Sequence, residues 1–265
     1  MKALRILIAP LALFAGLAAQ LAQAAPAGEI TLLTGRGTAT SVDGAIRTLA
    51  KGDPVYSGEV VNTGASSYLN IKFADDGFIL LRPNSRFQIE NFAYVKPEDV
   101  AKKPVQPSAP VINPAGPAAA SKPMAPVAQA SESASVSRAF FRLLKGGFRA
   151  VSGLVGHVDR SEYSVSTPVA TIGIRGTDYV VVMCDQPCAG DDVVGNAVPE
   201  GKAVDGLVVG VISGGVFVEN NAGKGTELGE NQYLVTLPDG KQIRLPVEPK
   251  FLRVDPIPNP KNICQ

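Results

Sequence analysis

This chain reads as an all-β protein, with short strands stacked in a solenoid-like or roll-like domain and a β-sandwich as the alternative. Three observations carry that expectation. With 27 Gly, 21 Pro and no Trp among 265 residues, the composition suits turns and short strands better than long amphipathic helices. The stretch Thr167-Pro-Val-Ala-Thr-Ile-Gly-Ile-Arg-Gly-Thr-Asp-Tyr179 sets β-branched residues around a glycine pair, and Tyr179 to Met183 continues as an apolar run of strand length. Finally, Asp75-Asp76-Gly77 lies between Leu69–Phe73 and Phe78–Leu81, and Leu69, Ile71 and Phe73 alternate onto one face as a hairpin strand requires.

Residues 1–24 read as an export signal rather than as structure. Lys2 and Arg5 make a positive start, Ile6 to Ala18 is apolar and uncharged, and Ala22-Gln23-Ala24 fits a small-x-small cleavage site. Export to the periplasm or beyond follows. Lys2 and Arg5 leave with the signal, so the formal charge falls from +1 to −1. Nucleic acid and acidic membrane surfaces are poor partners for such a balance, because both demand clustered positive charge. The apolar run Gly206 to Val218 is too short and too rich in glycine to span a bilayer, so no membrane span is expected after the signal.

Residues 25–95 form the first β region, from the strand at Glu29 to Thr34 through turns at Gly35, Gly37 and Gly44 to Leu49-Ala50-Lys51-Gly52-Asp53. The paired aspartates of Asp75-Asp76-Gly77 are turn residues on this reading, not a catalytic or calcium pair. Residues 96–137 change character, with Pro at 97, 104, 107, 110, 114, 117, 123 and 126 among Ala, Ser and Lys and no apolar period. Such a segment buries too little surface to offset its ordering entropy, so it reads as a disordered or polyproline-like insertion.

The second β region spans residues 138–247, and 248–265 is a Pro-rich tail expected to lie along the surface or fray. Ala139 to Leu144 suits a strand or a short helix. Gly173 and Gly176 flank Ile174-Arg175 inside the apolar context, which predicts a bend or bulge there. Arg175 either ties that bend to nearby carbonyls or to Asp178, or meets an anion or partner. Toward the end, aligning Gly35 with Gly214 also brings Gly44 onto Gly223, Leu49 onto Leu228 and Gly52 onto Asn231. Asn most readily replaces Gly where φ is positive, so the match describes a repeated strand and turn unit. Leu234 to Leu237, Pro238-Asp239-Gly240 and Gln242 to Leu245 make a further hairpin.

Several chemistries find little support. His157 near Asp159 has no Gly-x-Ser-x-Gly or Cys-His pattern beside it and reads as a solvated turn histidine. Gly223-Lys224-Gly225-Thr226 lacks the first glycine of a phosphate loop, since position 218 is Val. Cys184 and Cys188 are candidates for a disulfide in an oxidising compartment, with zinc as the competing use, and Cys264 is left free or paired between molecules.

The residues Thr167, Pro168, Ala170, Thr171, Gly173, Arg175, Gly176 and Thr177 resemble the signature of the FecR domain family of periplasmic β domains. Thr63-Gly-Ala-Ser-Ser67, Phe73-Ala-Asp-Asp-Gly77, Leu81-Arg-Pro-Asn-Ser85 and Leu143-Leu-Lys-Gly-Gly-Phe-Arg149 resemble its earlier parts, in the same order. The resemblance selects strand for Ala139 to Leu144. It implies a non-catalytic module for protein interaction or sensing in the bacterial envelope, here without the cytoplasmic anti-sigma segment and membrane helix of the classical proteins. An envelope protein is the partner it implies, and no cofactor or metal. Cell-wall or glycan binding is the alternative, an enzyme the weakest reading.

Loop-closure entropy rises by only about 0.6 kcal/mol per doubling of loop length. Deleting residues 100–135 is therefore expected to move the melting temperature by no more than about 2 °C. Differential scanning calorimetry checks this, and a large drop would mean that the insertion packs.

Overall fold

The computed structural model describes residues 25–96, 137–184, 188, 190–198 and 205–253. The expected export signal with Ala22 and Ala24, nearly all of the expected insertion, the end of the tail and Cys264 lie outside the described residues.

The all-β expectation holds, and the strands make one hydrogen-bonded sheet of 16 strands rather than the two separate sheets of a sandwich. The first region supplies β1 (Gly28–Thr34), β2 (Gly37–Thr40), β3 (Ile46–Thr48), β4 (Pro54–Val55), β5 (Val60–Thr63), β6 (Tyr68–Phe73), β7 (Phe78–Leu81) and β8 (Arg86–Ala93). After the insertion come β9 (Arg138–Lys145), β10 (Gly147–Val151), β11 (Tyr163–Ser166), β12 (Ala170–Met183) and β13 (Leu207–Asn220). β14 (Gly225–Leu228), β15 (Tyr233–Thr236) and β16 (Gln242–Leu245) complete the sheet, with short helices α1 (Leu154–Val158), α2 (Asp192–Ala197) and α3 (Lys250–Arg253).

The sheet is curled into a half-barrel. Its order is β3-β2-β5-β8-β9-β11-β12-β10-β7-β6-β1-β4, with β13 along the other edge of β12. Successive elements such as β1 and β2, β7 and β8, or β9 and β10 thus lie in opposite walls. The chain crosses between the walls along a line of corners. Gly35, Gly146, Gly176 and Gly214 turn these corners at φ of 73°, 78°, 58° and 84°, a region that penalises a Cβ.

A corner also interrupts the strand ladder and strands backbone groups, which must find other partners. Buried hydroxyls take that place. Ser85 Oγ accepts from Gly147 N–H (3.0 Å) and donates to Gly147 O (2.8 Å), while Thr63 Oγ1 accepts from Ser85 N–H (2.9 Å). Ser67 Oγ accepts from Arg36 N–H at 2.8 Å, and Ser152 Oγ from Thr177 N–H at 2.9 Å.

The facing sides of the walls close on an aromatic core. Phe73 of one wall lies 5.1 Å from Phe141 of the other, and Phe87 lies 5.6 Å from Phe148, ring centre to ring centre. Tyr163 and Tyr179 are buried and join their hydroxyls at 2.8 Å, and burial pushes both phenols well above their ordinary pKa. The run Tyr179 to Met183 is continuously apolar because two cores claim it. Tyr179 and Val181 enter the aromatic core, whereas Val180 and Val182 point outward into a second cluster with Val194, Val208 and Leu252.

That second cluster is roofed by parts that periodicity did not reveal. Cys184 and Cys188 form a disulfide, which removes both thiols from metal binding. Asp191 caps α2 by accepting from Val193 N–H (2.9 Å) and holds α3 by accepting from Lys250 N–H (2.6 Å). The tail up to residue 253 is therefore anchored rather than frayed, with Leu252 buried.

Residues 25–96 and 137–253 share this sheet directly, because β8 pairs with β9 and β7 with β10. Val95 N–H donates to Ser137 Oγ at 3.1 Å, so the insertion leaves and returns at neighbouring points. The repeated unit is matched pair for pair. Thr38 faces Thr48 and Thr40 faces Ile46 in β2 and β3, and Phe217 faces Glu227 and Glu219 faces Gly225 at the equivalent places in β13 and β14. Gly44 and Gly223, and Gly52 and Asn231, all have positive φ.

Replacing a bridging hydroxyl should be costly, because the partners it satisfies stay buried. Ser85→Ala is expected to lower stability by about 1–3 kcal/mol in urea unfolding, with an unchanged m-value. A change under about 0.3 kcal/mol would show that the corner hydroxyl is dispensable.

Candidate functional site

The signature-like stretch occupies the centre of the sheet. Thr167 makes the turn into β12, its Oγ1 accepting from Ala170 N–H (3.0 Å) and donating to Ala170 O (2.8 Å). Pro168 lies in that turn, where its carbonyl accepts from Asn221 Nδ2 at 2.8 Å. Ala170, Ile172 and Ile174 then point into the core, and Thr171, Gly173 and Arg175 point out. One edge of β12 changes partner along its length, from β11 at Thr171 and Ile172 to β10 at residues 178–182, while β13 follows the other edge throughout.

The change of partner falls at the expected bulge. The register with β13 shifts between Arg175 and Asp178, and Gly176 supplies the positive φ. Thr177 secures the bulge, with Oγ1 donating to Gly215 O at 2.6 Å and accepting from Gly215 N–H at 3.3 Å. Gly214 bulges opposite, so close to Gly176 O that a Cβ there would collide with it.

Two expectations need correction. Gly173 takes no part in the bend: its φ is not positive, and a Cβ added there would meet nothing within 4 Å. Nor does Arg175 brace the bend through Asp178, which is held instead by a bidentate pair to Arg149 at 2.8 and 2.9 Å. Arg149 reaches Asp178 because the two are diagonal neighbours on β10 and β12, paired with Val180 and Val151 respectively, whereas Arg175 is exposed and points out of the sheet. Its guanidinium has no ion pair among the described residues.

Gly173 and Arg175 open onto a groove of about 550 Å³ across the outer face of β12, β13 and β14. Phe217, 42% exposed, stands opposite Gly173, and Glu227 follows opposite Phe217. Gly215 and Gly229 complete a floor without side chains. Sequence reasoning missed Phe217 and Glu227. The available signal was the alternation Val216-Phe217-Val218, which turns Phe217 away from the core; that this strand lies beside the signature strand had no local signal.

The other singled-out residues lie elsewhere. His157 is exposed, as expected, but lies in the last turn of α1 rather than in a turn between strands, its Nδ1 2.8 Å from Gly153 O and its ring beside Gly176. Asp76 takes the turn at φ 62°, while Asp75 is buried and accepts from Gly77 N–H (3.1 Å) and Val155 N–H (3.3 Å). Burial raises the Asp75 pKa, and its geometry is that of a turn and a helix anchor.

No protein-family model matches the chain, and no curated protein matches it. Among solved structures, a cell surface anchoring domain is 37% identical over 23% of this chain and 82% of its own, with a TM-score of 0.23. Two crystal structures of a candidate anti-sigma factor from Parabacteroides distasonis are 11% and 10% identical, with TM-scores of 0.40 and 0.42. Each aligns with 73% of this chain, which spans 62% of their length. At these TM-scores the likenesses assign neither family nor function.

The two glycines of the signature should behave oppositely. Gly176→Val places a β-branched residue at positive φ and against the His157 ring, and should cost about 2 kcal/mol or more. Gly173→Val enters open space on a strand and should leave the melting temperature unchanged or slightly higher. Paired thermal melts check the contrast, and equal losses would remove it.

Proposed function

We propose that this chain is an exported, non-catalytic binding module of the bacterial cell envelope, one that senses or docks a protein through the outer face of β12. One observation carries the reading: the signature-like strand turns Gly173 and an Arg175 without an ion pair among the described residues into an open groove beside the exposed Phe217. Exposed large apolar and cationic side chains grouped in a concavity are characteristic of binding surfaces. The resemblance to the FecR domains and the apolar leader at residues 6–18 support the envelope setting.

The chemistry of the groove favours binding over catalysis. Its one hydroxyl side chain, Ser161, donates to Asp159 at 2.7 Å, and that bond with the Ser161 N–H holds the Asp159 carboxyl below its ordinary pKa. Glycan binding is the second reading, favoured by the bare floor next to an aromatic ring.

A photo-cross-linking residue at position 217, used in living cells, tests the module. A discrete envelope adduct is expected, lost with Arg175→Glu while the melting temperature stays unchanged. An adduct pattern indifferent to Arg175→Glu would overturn the reading.

A further inference from the structure

Three glycines on the floor of the groove have no explanation inside the fold. Gly173, Gly215 and Gly229 all lack positive φ. A Cβ would meet nothing at Gly173, only Leu228 O at 3.6 Å at Gly215, and only the Gln232 side chain at 4.0 Å at Gly229. Glycine in or beside a strand weakens it, and without a conformational or packing need it marks a place that something else approaches closely. Around this floor stand three side chains of different chemistry: Arg175, Phe217 and Glu227.

The kind of ligand follows from what the floor offers. β12 and β13 spend their backbone groups within the sheet, with Arg175 paired to Gly215 and Phe217 to Glu227, and only the outer edge of β14 stays unpaired by a strand. A peptide laid across this face would therefore gain no backbone hydrogen bonds from the sheet, the main source of affinity when a strand is added to an edge. Addition of a peptide strand to β14 is opposed as well, because Arg244 Nη2 already donates to Glu227 O at 2.7 Å. A sugar ring suits the place better, since its C–H faces lie flat on glycine and against an aromatic ring while its hydroxyls point outward. Glu227 would accept from such hydroxyls, and the five fixed donors of Arg175 match a carboxylate.

We propose that this groove binds a carboxylate-bearing glycan, with the acid at Arg175, a pyranose ring on the glycine floor against Phe217, and hydroxyls at Glu227. The inference rests on the groove being the binding face and takes up the second reading of it, naming the class of glycan.

Isothermal titration of the purified full chain with a galacturonate hexamer tests it, beside a neutral glucose hexamer and a glutamate hexapeptide. Saturable binding of the uronate is expected, with Arg175→Ala and Phe217→Ala each weakening it about tenfold or more. Gly173→Leu should abolish binding while the melting temperature is kept, a result that a purely structural glycine would not give. No uronate binding, binding untouched by all three variants, or equal binding of the neutral hexamer would overturn the proposal. Tighter binding of the hexapeptide would overturn it in favour of an acidic peptide. A Phe217 cross-link that persists beside a null titration would remove the glycan and leave the binding face standing.

Discussion

The fold depends on satisfying backbone groups where strands bend from one wall to the other. A ladder interrupted at a corner exposes N–H and C=O groups inside a protein that has no water to offer them. Glycine provides the turn at Gly35, Gly146, Gly176 and Gly214, and the hydroxyls of Thr63, Ser67, Ser85, Ser152 and Thr177 provide the missing bonds. Only then can the walls approach closely enough for Phe73 to reach Phe141 and Phe87 to reach Phe148. Core packing thus follows from a polar arrangement at the corners.

Strand positions were legible where local chemistry decides them. The β6–β7 hairpin follows from Asp76 and Gly77, and β15–β16 from Pro238-Asp239-Gly240, because turn residues act through their own backbone. The repeat was legible because Gly and Asn at positive φ leave a trace that strand residues do not. Tertiary geometry was less so. Two glycines three apart look alike in sequence, yet only Gly176 is needed by the backbone, since which of them meets the register shift depends on β13. The partner of Asp178 was equally hidden, because β10 and β12 are brought together by pairing across distant segments. The short helices α1 and α3 carry too few residues for a 3.6-residue period to show.

The candidate groove divides in the same way. Arg175 and Gly173 were visible as a motif, while Phe217 and Glu227 joined them through the register of β12 with β13 and of β13 with β14. The same strand that organises the two walls is the one that turns its outer face to solvent, so a contact there presses on the most connected element of the sheet.

The two matched units sit at opposite ends of one wall of this sheet, the one that runs β3-β2-β5-β8-β9-β11-β12-β13-β14, while β4 and β16 are the edges of the other. They act as bookends. Additional strand pairs could be threaded between them without altering either terminus, so the architecture can lengthen in its middle during evolution while both rims keep the same finish.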